Sequence, residues 1–422
     1  SLVEARDLLA AILAIHAILI MASRTAQFWR TRWGRYAALV VGAGFIGIFV
    51  GSANNAEALI CAREFATLLY WVFAPLLAAQ LKTMKVVRWT MIGLSGTGAL
   101  VGIGVLIEVL SGNSIGLVSP VRGLAAGELM RNVPDGWVAS ILGFFVCLSF
   151  LLFAPRGNWS IGAKVLLLIG AIGNALTMFL MQGRGMIIAV LVVSIVLSVY
   201  KGVTSGNTQG VAIAGVLAVG LICGGAVLTA VGGSQLVDTT LARFDGLLSS
   251  DSLDEIDANR MLEMRSGIEA LSASPILGVG LGAPYRSEYY GKVDITVAGK
   301  LDNLTGHHNV VMWYALKTGL IGLLTFLAFA AACVRVTWRA LQSRSPAAHM
   351  IVGIGAGLCA LLLVGNTSNV FGSIHGLPFA AFSMALIMAV QVLERCPPAT
   401  SHKRMPPHSV PDTRHRFPVS RS

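Results

Sequence analysis

His307, His308 and Asn309 stand where a polar segment runs into the apolar Val310-Val311-Met312-Trp313-Tyr314-Ala315-Leu316. An imidazole at such a helix start lies at the positive end of the helix dipole, which opposes protonation and leaves a neutral base. The same triplet also reads as a helix cap. Neighbouring helical positions point about 100° apart, so at most one of the two histidines can serve as base. Around this seam the chain sets several arginines. Arg184 lies in the tight turn Gln182-Gly183-Arg184-Gly185 between two apolar stretches. Its guanidinium must sit near the hydrocarbon boundary, which is costly unless it meets a partner or a wet cavity. Glycine on both sides clears space for such a partner; a snorkelling anchor is the other reading.

Arg122, in Ser119-Pro120-Val121-Arg122-Gly123, and Arg131, in Met130-Arg131-Asn132, flank the same face. Each also fits an ordinary interfacial arginine. Arg260 and Arg265 are five residues apart, about 140° around one helix, so they cannot point the same way. The arginine fork is always charged and matches phosphate oxygens, so a phosphate-bearing lipid is the expected ligand class. Arg63 falls within two turns of the outer end of its helix, beside Glu64, and either extends that phosphate site or pairs with a carboxylate. His16 and Glu108 stand alone in apolar surroundings, and His16 reads as a packed core residue. Asp251, Asp254, Glu255 and Asp257 offer a divalent-cation cluster or a solvated loop. Because arginines can neutralise a leaving phosphate unaided, neither metal nor cofactor is expected.

The elements that hold these residues are membrane helices. The 422 residues are 55% hydrophobic and 12% charged, and the mean hydropathy is +0.75, which excludes a soluble domain of this size. Apolar runs of about 18 to 22 residues recur, long enough to cross about 30 Å of hydrocarbon. Alternating strand-like segments are absent, which argues against a barrel. The fold class is therefore an all-α polytopic membrane protein. Helices are expected near 8–22, 36–52, 57–80, 89–110, 137–153, 161–181, 186–200, 211–231, 309–332, 350–365 and 377–393, eleven in all. The net charge of +11 comes from basic residues in short loops at helix ends, which are topology signals and not a nucleic-acid footprint. Six scattered cysteines, with no CxxC pair, indicate neither a disulfide framework nor a zinc site.

Loops with Arg24, Arg30, Arg32 and Arg35, with Lys82, Lys85 and Arg88, with Arg156, with Lys201, and with Arg335, Arg339 and Arg344 share one side, which the positive-inside rule makes cytoplasmic. The histidines and the arginines first considered then lie outside. This topology divides the chain into helices one to eight over 1–231, a large external loop over 232–308, helices nine to eleven over 309–393, and a basic, Pro-rich tail over 394–422 that reads as disordered. It also puts Ser1 outside; with no initiator Met, a missing amino-terminal helix is expected, giving twelve crossings in the full-length protein. Within the 77-residue loop, Ile256, Met261, Met264, Ile268 and Leu271 recur at helical spacing, which predicts an amphipathic helix on the membrane face over 256–271. Ser274-Pro275 ends it. The following Gly278-Val279-Gly280-Leu281-Gly282 allows close backbone approach, but without a preceding strand it is no dinucleotide fingerprint.

Three motifs in this order resemble the O-antigen ligase family, within the bacterial lipopolysaccharide O-antigen ligase and polymerase superfamily. They are Gly183-Arg184-Gly185 opening a helix; Asn259-Arg260 followed by Ser266-Gly267-Ile268-Glu269-Ala270 and Pro275-Ile276-Leu277-Gly278-Val279-Gly280-Leu281-Gly282; and His308-Asn309 at a helix start, with Gly319-Leu320-Ile321-Gly322 beyond it. The likeness spans about residues 115 to 325. It implies a membrane-embedded, metal-independent, inverting glycosyltransferase of the bacterial inner membrane with its active site on the periplasmic face. Its donor would be an undecaprenyl pyrophosphate-linked glycan and its acceptor a lipid A-core sugar hydroxyl. The resemblance makes His308 the general base and gives Arg184 and Arg260 the pyrophosphate, with Arg122, Arg131 and Arg265 as further binders and His307, Asn309 and Arg63 in support. The chain departs from the family at Arg265, where an aromatic residue is expected, and at Pro134-Asp135, where Pro-Asn is expected; both bear on the acceptor.

Rival readings are an O-antigen polymerase, a protein O-glycosylating ligase, a membrane scaffold and a secondary transporter. The last would carry internal repeats and broken midplane helices, and no clear repeat is present.

Overall fold

The computed structural model describes residues 26–111, 118–121, 131–134, 137–155, 161–180, 184–205, 255–285, 307–373 and 376–395. In chain order they form α1 (Arg32–Ala53), α2 (Ala58–Gln80), α3 (Met84–Ser111), β1 (Val118–Val121), β2 (Arg131–Pro134), α4 (Trp137–Phe153), α5 (Ile161–Leu180), α6 (Arg184–Ser205), α7 (Glu255–Ala273), α8 (Val310–Gln342), α9 (Ala348–Val364) and α10 (Leu377–Arg395). Among them α1, α2, α3, α5, α6, α8 and α10 are long and apolar enough to cross a membrane, and α4 and α9 are apolar helices one residue short of that length. Nine of the eleven expected spans are thus helices; the other two, 8–22 and 211–231, lie outside the described residues, as do the first residues and the tail beyond Arg395. The all-α polytopic class holds, with one short ribbon added between α3 and α4, where β1 and β2 pair antiparallel with Val121 opposite Arg131.

α4 and α9 form the middle of the bundle, apolar on nearly every side, which is why hydropathy finds them and periodicity does not. α4 packs on α3, α5 and α9; α8 packs on α1 and α9; α2 packs on α1 and α10. Lipid supplies no hydrophobic drive between helices, so small residues and interhelical hydrogen bonds do the joining. Asn174 of α5 donates to Ser95 O of α3 at 3.0 Å, and Ser140 of α4 donates to Gly98 O of α3 at 3.3 Å.

α8 ends ten residues later than the apolar run suggested, because its last turns carry Arg335 and Arg339, whose exposed heads can reach the headgroup layer. It is kinked at Gly319, where φ is +64°. There Leu320 N donates to Ile276 O at 2.8 Å instead of to the carbonyl four residues back. Leu316 O accepts from Val279 N at 2.7 Å and Gly280 N at 3.1 Å. Helix and glycine-rich loop thus exchange partners, so Leu316 O and Leu320 N keep hydrogen bonds across the kink. Leu281 N continues the join by donating to Gly47 O of α1 at 2.9 Å. Gly280 has φ +88°, and a Cβ there would fall on the backbone nitrogen of Gly51. No other residue type fits that place.

Candidate active site

Asn309 caps α8: its side-chain oxygen accepts from Val311 N at 2.9 Å and Met312 N at 3.1 Å. The capping reading of the triplet therefore holds for Asn309, which leaves the two preceding histidines outside the helix. They part company there. His307 is buried, stacked on Tyr285 with ring centroids 5.7 Å apart, and its Nδ1 accepts from Asn309 N at 2.9 Å. The side chain of His308 is 59% exposed.

Both imidazoles meet Glu263 of α7, whose side chain is only 3% exposed. His308 Nδ1 lies 2.8 Å from Glu263 Oε2, and His308 N donates to Oε1 of the same carboxylate. His307 Nδ1 lies 3.4 Å from Oε1. Burial pushes the Glu263 carboxyl up, but the hydrogen bonds from His308 and the electrostatic attraction between the carboxylate and the two histidines outweigh it and hold its pKa below the usual value. An ionised carboxylate only accepts, so the proton it holds on His308 is the one at Nδ1. The lone pair of a neutral His308 is then at Nε2. A buried acceptor behind an exposed imidazole is the arrangement of a general base with its orienting group.

Glu263 is the residue that sequence reasoning missed. It sits three positions after Arg260 and four before Gly267, so all three share one face of α7. Gly267 leaves room for the His307 ring, because a Cβ there would lie 3.2 Å from Nε2. The spacing of Glu263 from Arg260 was a usable signal. Arg260 is half-buried on this face. Arg265 is placed elsewhere: it points about 160° away from Glu263, is 80% exposed, and pairs with Glu269 at 3.1 Å. The predicted helix over 256–271 is present, with Met261 and Ile268 facing outward and Glu263 and Gly267 facing the bundle.

Arg184 begins α6, and the next residue, Gly185, abuts Thr367. Thr367 belongs to the turn after α9, where Asn366 O accepts from Asn309 Nδ2 at 3.4 Å and Gly365 O accepts from Val310 N at 2.8 Å. The start of α6 thus shares a corner with the start of α8. Arg131 begins β2, whereas Arg122, Asp251 and Asp254 lie outside the described residues. Arg63 is exposed in the second turn of α2. Its neighbour Glu64 has a partner that the sequence reading overlooked: Lys317 of α8, with Nζ 3.4 Å from Glu64 Oε1. The pair grips the glycine-rich loop, since Gly282 N donates to Glu64 Oε2 at 2.6 Å and Lys317 Nζ donates to Ala283 O at 2.9 Å. Two residues further along stands Tyr285, the ring stacked on His307. Among the described residues no group of three His, Cys, Asp or Glu side chains is placed to hold a metal ion.

Residues 166–327 match the family model described as O-antigen ligase. This span of the chain is similar to the O-antigen ligase family. It runs from α5 through the kink of α8 and contains Arg184, Arg260, Glu263 and His308. No curated protein matches the chain. The match supports an enzymatic, ligase- or polymerase-type role in O-antigen processing within a membrane.

Proposed function

We propose that this protein transfers an O-antigen polysaccharide from undecaprenyl pyrophosphate to a lipid A-core sugar hydroxyl, at the periplasmic face of the bacterial inner membrane. The observation that carries this reading is the exposed His308 with its Nδ1 held 2.8 Å from a buried carboxylate. In the proposed step, His308 Nε2 takes the proton of the acceptor hydroxyl as its oxygen attacks the anomeric carbon. The bond from that carbon to the pyrophosphate oxygen breaks, the electron pair leaves with the pyrophosphate, and the configuration inverts. His308 then returns its proton to water. Arg184 and Arg260 neutralise the leaving pyrophosphate, which carries its own activation and so needs only a base and cations. Arg122 and Arg131 contribute to binding the donor; Arg265, turned outward, is the weakest candidate for that role.

The test is transfer by purified protein between a carrier-linked glycan and lipid A core, read as a new conjugate, with and without chelator. His308→Ala should lower the rate by roughly 10² to 10⁴, the usual share of a general base, while chelator leaves it unchanged. Full transfer by the variant would overturn the mechanism. A longer carrier-linked glycan in place of the conjugate would reassign the acceptor and make the enzyme a polymerase.

A further inference from the structure

Gly365-Asn366-Thr367-Ser368-Asn369 is a polar break between two apolar helices, α9 and α10, and the proposed transfer step does not use it. This turn touches both elements that begin at the site. Gly365 O accepts from Val310 N at 2.8 Å and Asn366 O accepts from Asn309 Nδ2 at 3.4 Å, which ties the turn to the residue after His308. On its other side Thr367 lies against Gly185, the residue after Arg184. A Cβ on Gly185 would fall 2.5 Å from the Thr367 hydroxyl oxygen.

Inversion at an anomeric carbon places the base on one face of the sugar ring and the leaving pyrophosphate on the other. The ring attached to the pyrophosphate therefore lies between His308 and Arg184, the interval that the turn borders. Asn366 and Thr367 are both exposed there. Asn366 Nδ2 donates to Leu363 O at 3.3 Å and Thr367 Oγ1 donates to Val364 O at 3.1 Å. Those bonds leave the amide oxygen and the hydroxyl lone pairs to accept, on consecutive residues. Uncharged acceptors match the O–H and N–H donors of a sugar, and a site built to bond such groups discriminates against sugars that lack them. We infer that Asn366 and Thr367 bind the donor sugar whose anomeric carbon is attacked, an inference that rests on the roles proposed for His308 and Arg184.

The test titrates the purified full chain in detergent with undecaprenyl pyrophosphate, bare or carrying N-acetylglucosamine or galactose, and reads bound carrier by native mass spectrometry. The wild type should bind at least one sugar-bearing carrier about tenfold more tightly than the bare one, the share of one or two hydrogen bonds. Asn366→Ala and Thr367→Val should each lower that preference severalfold and leave the bare carrier bound as before, which also shows that the variants fold. Thr367→Ser, which keeps the hydroxyl, should keep the preference. A wild type that binds no carrier would overturn the proposed function together with this subsite. Carrier binding without a sugar preference, a preference that survives both substitutions, or equal loss of the bare carrier from both variants would overturn the subsite alone. So would a raised KM for lipid A core with the donor preference intact, which would move the turn to the acceptor.

Discussion

Lys317→Met should be among the most damaging single substitutions in the chain. Lys317 is fully buried, Glu64 is 11% exposed, and the two lie 3.4 Å apart. Removing one member of such a pair leaves an uncompensated charge, at a cost of about 3–5 kcal/mol. It also strips Ala283 O of its donor, worth a further 1–3 kcal/mol or so. Removing both charges should be milder. In Glu64→Gln with Lys317→Met the amide oxygen can still accept from Gly282 N, so the remaining loss is mainly the Ala283 contact, about 1–3 kcal/mol. The double-mutant cycle should therefore show a coupling of at least about 2 kcal/mol, whereas distant sites add to within about 0.5 kcal/mol. Reversible unfolding in mixed micelles, followed for the wild type, both single variants and the double variant, measures it. Additive effects would refute the pairing. Because the pair grips the loop that leads to Tyr285, the single variants should also lower kcat, and recovery of kcat in the double variant would tie that loss to loop position and not to the charges themselves.

Glu263→Gln keeps the side-chain volume but presents an amide to His308 Nδ1; transfer should fall at least about tenfold, read as kcat against pH, while KM for the donor changes little. The folded state favours ionised Glu263, so its contribution to stability is complete above the ordinary carboxylate value of about 4.3 and is lost as pH falls through the lower folded value. The acid limb of an unfolding-versus-pH curve should consequently flatten in the variant, and an unchanged limb would contradict the depressed pKa. Gly280→Ala forces a side chain into backbone at φ +88° and should prevent accumulation of folded protein, whereas Gly42→Ala, with open space around it, should express and unfold like the wild type.

The linear chain determined the parts whose cause is local. Long apolar runs marked nine described helices because crossing hydrocarbon demands length and composition, and a run such as Trp137–Phe153 meets that demand wherever it packs. The polar seam at His308-Asn309 was legible for the same reason, since a cap must precede the helix it closes. What the chain order concealed depends on distant residues meeting. Glu263 looked like one more acid in a polar loop, although it lies only 45 residues from His308, because nothing local says which face of α7 turns inward. Glu64 and Lys317 were harder still: a lone charge in an apolar helix announces that a partner exists, but not that it lies across the bundle. Only tertiary structure set the two histidines apart in environment, burying His307 under Tyr285 and leaving His308 exposed, because the glycine-rich loop inserts between α1, α2 and α8 and delivers that ring to one imidazole and not the other.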